Sequence, residues 1–111
     1  MLSETRTALR IKTTAYDDEL VGLIQAGAKD LEVAGVVIPG DLSFTKTQGV
    51  WTDASTLTDN LVQRAIITYV RMNFGSPDDY DRLAAAYTAQ KVTLMHASDY
   101  TNYGGDTDGE S

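Results

Sequence analysis

The chain has 111 residues, which is room for one domain with one core, and it has no cysteine, which excludes disulfides, thiolate metal sites and cysteine nucleophiles. Its one histidine, His96, excludes a multi-histidine metal site within the chain. A formal charge of −7 is the wrong sign for gripping nucleic-acid phosphates, and no apolar run approaches the roughly 20 residues of a membrane helix, so a soluble chain, intracellular at synthesis, is expected.

Ser3 is placed to cap a short first helix from about Glu4 to Arg10, whose few apolar residues (Leu2, Ala8, Leu9, Ile11) require it to lean on another element. Asp17, Asp18 and Glu19 then put three carboxylates at the start of a second helix, where the N-terminal dipole favours them. Leu20, Ile24, Ala28 and Leu31 follow at helical spacing, Leu23 and Ala34 widen the stripe, and Gly35 is the expected stop.

From Val36 to Leu57 the helical period is lost. Val36 to Ile38 are β-branched, Pro39-Gly40 signals a turn, and two short alternating runs, Asp41 to Lys46 and Gly49 to Asp53, flank Thr47-Gln48. A loop or β-hairpin is expected here. Leu42, Phe44, Val50 and Trp51 cannot all reach the core from so short an excursion, so some are expected on the surface, and an exposed Trp51 would indicate a partner.

Thr58 is the expected cap of a third helix, with Leu57 and Val62 as a hydrophobic staple and Asp59 facing the dipole. Leu61, Val62, Ala65, Ile66, Tyr69, Val70 and Phe74 form a wide stripe, extended by Ile67 and Met72, which marks this helix as the centre of the core. Gly75 closes it, Ser76 caps the next, and Pro77 sits in a first turn that Asp78 and Asp79 complement. The fourth helix presents Tyr80, Leu83, Ala84, Tyr87, Lys91, Leu94 and Met95 along one face and packs antiparallel to the third. The last thirteen residues, Asp99 to Ser111, contain four acidic residues, no basic one and no aliphatic one, which reads as a flexible tail. Sixteen acidic residues less these four, against nine basic ones, leave only −3 on the body.

Candidate sites reduce to surfaces. Asp78, Asp79 and Asp81 cluster in a helix first turn, where carboxylates serve the dipole, and no calcium loop follows them. His96 near the fourth helix's end suits the C-terminal dipole, and Gly104-Gly105 lacks a phosphate-loop spacing. Tyr69, Tyr80 and Tyr87 at helical spacing read as core tyrosines, since no basic groove accompanies them. Arg64 and Arg71 lie on one side of the third helix two turns apart and, with Arg82, are free to pair with acidic helix starts or with a neighbouring subunit.

Two segments resemble the bacteriophage head-to-tail connector proteins, also called adaptor or head-completion proteins. The first runs Leu9-Arg10-Ile11 through Asp17-Asp18-Glu19-Leu20, Leu23-Ile24, Ala28, Leu31 and Gly35; the second runs Asp59-Asn60-Leu61-Val62, Arg64-Ala65-Ile66, Tyr69-Val70 and Asn73-Phe74-Gly75, then Arg82, Tyr87, Lys91, Leu94 and Tyr100. Together they cover most of residues 2 to 100. The chain departs from the commoner pattern in its long Val36 to Leu57 excursion, in Gly27 where alanine is usual, and in its acidic end. The resemblance implies a structural virion subunit with no enzymatic activity and no cofactor. It implies a ring, dodecameric on assembly, between the portal protein and the next neck or tail protein, with double-stranded DNA passing through without sequence-specific binding and no membrane contact. The location implied is the head-to-tail interface of the virion, and the host cytoplasm during assembly.

The expected fold is therefore mainly α: a small bundle of three long helices plus a short N-terminal helix over residues 1–98, with a loop or hairpin at 36–57 and a tail at 99–111. The excursion and the tail are the expected interaction elements, with Phe44, Val50, Trp51, Arg64, Arg71, Tyr100 and Tyr103 as candidate protein-interface residues. A small acidic helical adaptor or regulatory module that binds a single protein partner is the alternative from another class.

Overall fold

Helix α3 (Asn60–Asn73) is the axis of the molecule in the computed structural model, which describes residues 1–101 apart from the side chain of Ser98. Three other helices lie against it: α1 (Leu2–Leu9), α2 (Asp17–Val33) and α4 (Tyr80–His96). Val62, Ala65, Ile66, Thr68 and Val70 of α3 are all buried, as a stripe too wide for one neighbour requires. Leu20, Ile24 and Leu31 of α2 and Leu94 of α4 are fully enclosed too, each worth about 1.5–3 kcal/mol as area removed from water, and so is Thr5 of α1. The start of α3 (Leu61, Arg64) shares a cleft with the end of α4 (Gln90, Leu94), so these two helices run antiparallel, as expected. No helix among the described residues is long and apolar enough to cross a membrane.

Gly27, one of the departures noted above, has a packing reason. It is buried where α2 crosses α3, and a Cβ there would lie 3.0–3.2 Å from three atoms of Tyr69, so glycine permits the close approach. Tyr69 in turn meets Tyr87 of α4 edge to face at 5.5 Å. Tyr80, grouped with these two in the sequence, is instead about half exposed at the first position of α4.

The helix boundaries follow chemistry that sequence spacing misplaces by a few residues. α1 begins at Leu2 rather than after a Ser3 cap, because Met1 and Leu2 are themselves buried and the Met1 ammonium is held by Asp53 and Glu4, each at 2.8 Å. Asp59, not Thr58, caps α3: its Oδ1 accepts from the amides of Leu61 and Val62, both at 3.0 Å. α4 starts at Tyr80, past the expected Ser76 cap, and Pro77 stands in the connection. Asp79 occupies the cap position, but Arg82 engages its carboxylate. The end of α2 is as expected. Gly35 at φ 98° donates to Glu32 O while Val36 donates to Leu31 O, a Schellman closure sealed by contact of buried Val36 with the core.

The excursion is a hairpin. Strands β1 (Phe44–Thr47) and β2 (Val50–Asp53) pair antiparallel with Thr47 opposite Val50 and Phe44 opposite Asp53. The turn falls on Gln48-Gly49, one residue later than expected, both with positive φ as a two-residue hairpin turn of this hand requires. After α4 a 3₁₀ turn, Ser98–Tyr100, brings Tyr100 O to the amide of Val37 at 2.6 Å, and Thr101 bridges Val36. Asp99 to Thr101, assigned to the tail by composition, are thus tied to the body.

Candidate assembly surface

Alternation along the hairpin sorts its residues into two faces. Phe44, Lys46, Trp51 and Asp53 point one way and Thr45, Thr47, Val50 and Thr52 the other. Every residue of the first set is engaged with the body. Phe44 and Trp51 pack against the core, and Asp53 accepts from the Met1 ammonium and the Leu2 amide. Lys46 Nζ and Trp51 Nε1 both donate to Asp18 Oδ1, at 2.9 and 2.7 Å. These two donors, Lys46 first, hold the Asp18 carboxyl below the usual carboxylate range. The expectation of an exposed Trp51 is therefore corrected: the ring is half-buried and its N–H has an acceptor. Of the three hairpin candidates only Val50, 66% exposed, looks outward, amid threonines.

Arg64 and Arg71 are both exposed, but each belongs to a different cleft. Arg64 stands with Leu61, Gln90, Thr93 and Leu94 over a groove of about 180 Å³ between α3 and α4. Gln90 Oε1 is buried there with no hydrogen-bond partner. Arg71 lines a cleft of about 280 Å³ at the other end of α3, with Ala8, Leu9 and Arg10 from the end of α1, and Phe74, Pro77, Asp79 and Leu83. Neither arginine makes an ion pair among the described residues. Arg82 alone of the three pairs with an acidic helix start, as considered above.

Tyr100 is half-buried, and its hydroxyl donates to Asp59 Oδ2 at 2.7 Å. That bond, joined by the Val62 amide, lowers the Asp59 carboxyl's pKa. One carboxylate thus caps α3 and anchors the chain that follows α4. Tyr103 lies outside the described residues.

Polar contacts within the body have the same fastening character. Arg6 makes a bidentate pair with buried Asp17, at 2.8 and 2.9 Å, pinning α1 to the start of α2. Asp30 of α2 accepts from the Tyr87 hydroxyl at 2.5 Å and from Lys91 Nζ at 3.1 Å, both on α4. Its pKa is lowered by the Tyr87 bond first and Lys91 next, while burial and the same carboxylate push the Tyr87 hydroxyl well up. Each of these groups holds two elements together. No group of His, Cys, Asp or Glu that could hold a metal ion occurs among the described residues; Asp79 is engaged by Arg82, and His96 ends α4 exposed to solvent.

Sequence reading missed Arg10 as a surface group and Asp18, Asp30 and Asp59 as fasteners. Arg10 left one local signal: it directly follows the last apolar residue of α1, and it takes the left-handed conformation, φ 60°, that closes the helix. The three aspartates join residues 28 to 61 positions apart, which no local pattern records.

A family model described as phage connector protein matches residues 1–101, the same span that the structure describes. No curated protein and no solved structure matches the chain. The chain belongs to the phage connector proteins.

Proposed function

We propose that this phage connector protein assembles as a ring, dodecameric when complete, between the portal protein and the next protein of the neck or tail, and extends the channel through which double-stranded DNA passes. The family is structural rather than enzymatic and serves the junction of head and tail. The observation that carries the reading is the family match over the whole described body.

Physical features support it. Val33, Val50, Leu61 and Val92 are large apolar side chains exposed to water, on α2, the hairpin, α3 and α4 respectively, so each of these elements leaves apolar surface for a partner to cover. Head-to-tail contact between copies covers two different patches of each subunit and closes into a ring where the rotation allows. A conduit for DNA must not hold phosphates, and net negative charge repels them within a Debye length, about 8 Å at physiological salt. The outward hairpin face around Val50 and residues 99–111 are the elements we assign to docking. During assembly the subunit resides in the host cytoplasm, and afterwards in the virion.

The test is to mix the protein with the portal of its own phage and image the product by electron microscopy. The reading expects a ring coaxial with the portal; a monomer or dimer that leaves the portal bare at every concentration tried overturns it.

A further inference from the structure

The two ends of α3 differ in charge and in what they offer. At its start, Asp59 holds Tyr100, and Thr101 pairs with Val36, so Thr101, the residue before 102–111, stands at this pole. That segment contains Asp106, Asp108 and Glu110, Tyr103 and no basic residue. At the opposite pole is the cleft beside Phe74, with an apolar floor of Ala8, Leu9, Phe74, Pro77 and Leu83 and two arginines, Arg10 and Arg71. Its one lining carboxylate, Asp79, is already engaged by Arg82, so the cleft presents unneutralised positive charge on an otherwise acidic protein.

We propose that this cleft receives the acidic segment 102–111 of a neighbouring copy, with Arg10 and Arg71 binding its carboxylates and the apolar floor taking Tyr103. The inference rests on the self-assembly reading above and names a contact between copies. The self-assembly reading favours the neighbour over the same chain. The fourteen residues of α3 set the poles roughly 20 Å apart. A ten-residue segment reaches at most roughly 33–36 Å, so the cleft of the same chain also lies within range, and the mixed-variant arm below tells the two apart. A second copy placed head to tail brings its cleft to the pole where Thr101 stands, and the arrangement repeats from copy to copy. Arginine suits the task because its fork meets a carboxylate with two hydrogen bonds.

The experiment uses the full chain and a fluorescein-labelled peptide of residues 102–111, followed by anisotropy. The expected result is binding that weakens about tenfold with Arg71→Glu and likewise with Arg10→Glu, the size of one lost charge-assisted hydrogen-bonded pair. Binding also falls with rising salt and is unchanged by Arg64→Glu in the other cleft. Equal affinity for all these variants, or no binding at low salt, overturns the inference. In a second arm, one chain carries Arg10→Glu and Arg71→Glu and another carries Asp106→Lys, Asp108→Lys and Glu110→Lys. Crosslinked pairs should be lost in each variant alone and return when the two are mixed. Crosslinking that persists in the separate variants contradicts the contact. If the Arg10→Glu, Arg71→Glu chain builds normal rings on the portal, this inference fails while the ring reading stands. If wild type builds no ring but the peptide still selects both arginines, the ring reading fails and the cleft remains.

Discussion

The helical body and the β1–β2 hairpin are held by different physics. In the body, Leu20, Ile24, Leu31, Val62, Ile66, Val70 and Leu94 are closed off from water, so the helices stand or fall together. The hairpin has strands of four residues, only Phe44 and Trp51 turned toward the core, and an outer face wholly in solvent. Asp18, Lys46 and Asp53 fasten it, and the first two are largely exposed. The difference teaches that the hairpin can be loosened without unfolding its support, whereas nothing in the α2–α3–α4 core can. Local stability of this kind is uneven by construction.

The largest effect expected from that contrast is at Ile66, the enclosed centre of α3. Ile66→Ala should cost about 3 kcal/mol through lost burial and a cavity. The midpoint of thermal unfolding should fall by more than about 10 °C, with helix and Trp51 signals lost together. Next is Gly27→Val, where gain in helix propensity is outweighed by collision with Tyr69. It should destabilise by about 2 kcal/mol in urea titrations, and a neutral result would show that α2 and α3 can move apart freely.

Asp30→Asn comes third. It weakens the Tyr87 and Lys91 contacts and should cost about 1 kcal/mol at pH 7, toward the low end because the carboxylate is partly solvated. The sign with pH follows from the direction of the shifts. Asp30 and Asp59 titrate lower when folded than when unfolded, so their stabilisation is complete above about pH 4 and is lost as pH falls through the lowered values. Wild type should therefore lose stability below about pH 4, and Asp30→Asn should lose less over the same range. The smallest global effect belongs to Asp18→Ala. Its thermal midpoint should match wild type, while emission of the single tryptophan shifts to the red and hydrogen exchange quickens only in residues 44–53. A large fall in midpoint would erase the distinction between the two regions.

The stripes of α2 and α3 were legible because burial on one helix face writes itself as spacing: Leu20, Ile24, Ala28 and Leu31 are all buried as read, and of the α3 stripe Leu61, in the first turn, is the residue that stands exposed instead. The hairpin was legible from its turn residues and alternation, though the turn slipped by one residue because Gly49, not Thr47, supplies the second positive φ. Caps were misplaced where a residue distant in sequence took part. Asp59 caps α3 while holding Tyr100, and Leu2 starts α1 early because Asp53 accepts its amide. The half-burial of Trp51 has the same cause, its acceptor lying 33 positions away on α2. Gly27 stood out in the sequence, but its cause, the Tyr69 ring, exists only once two helices cross. What sequence conceals here is long-range pairing of polar atoms.

Gln90 bears on what it costs to cover the groove between the start of α3 and the end of α4. Its carbonyl oxygen is already out of reach of solvent and lacks a donor. Because that oxygen is already shut off, its unmet bond, about 1–3 kcal/mol, is carried by the fold before anything docks, and covering the groove adds nothing to it. An apolar cover therefore meets no fresh polar penalty at this spot.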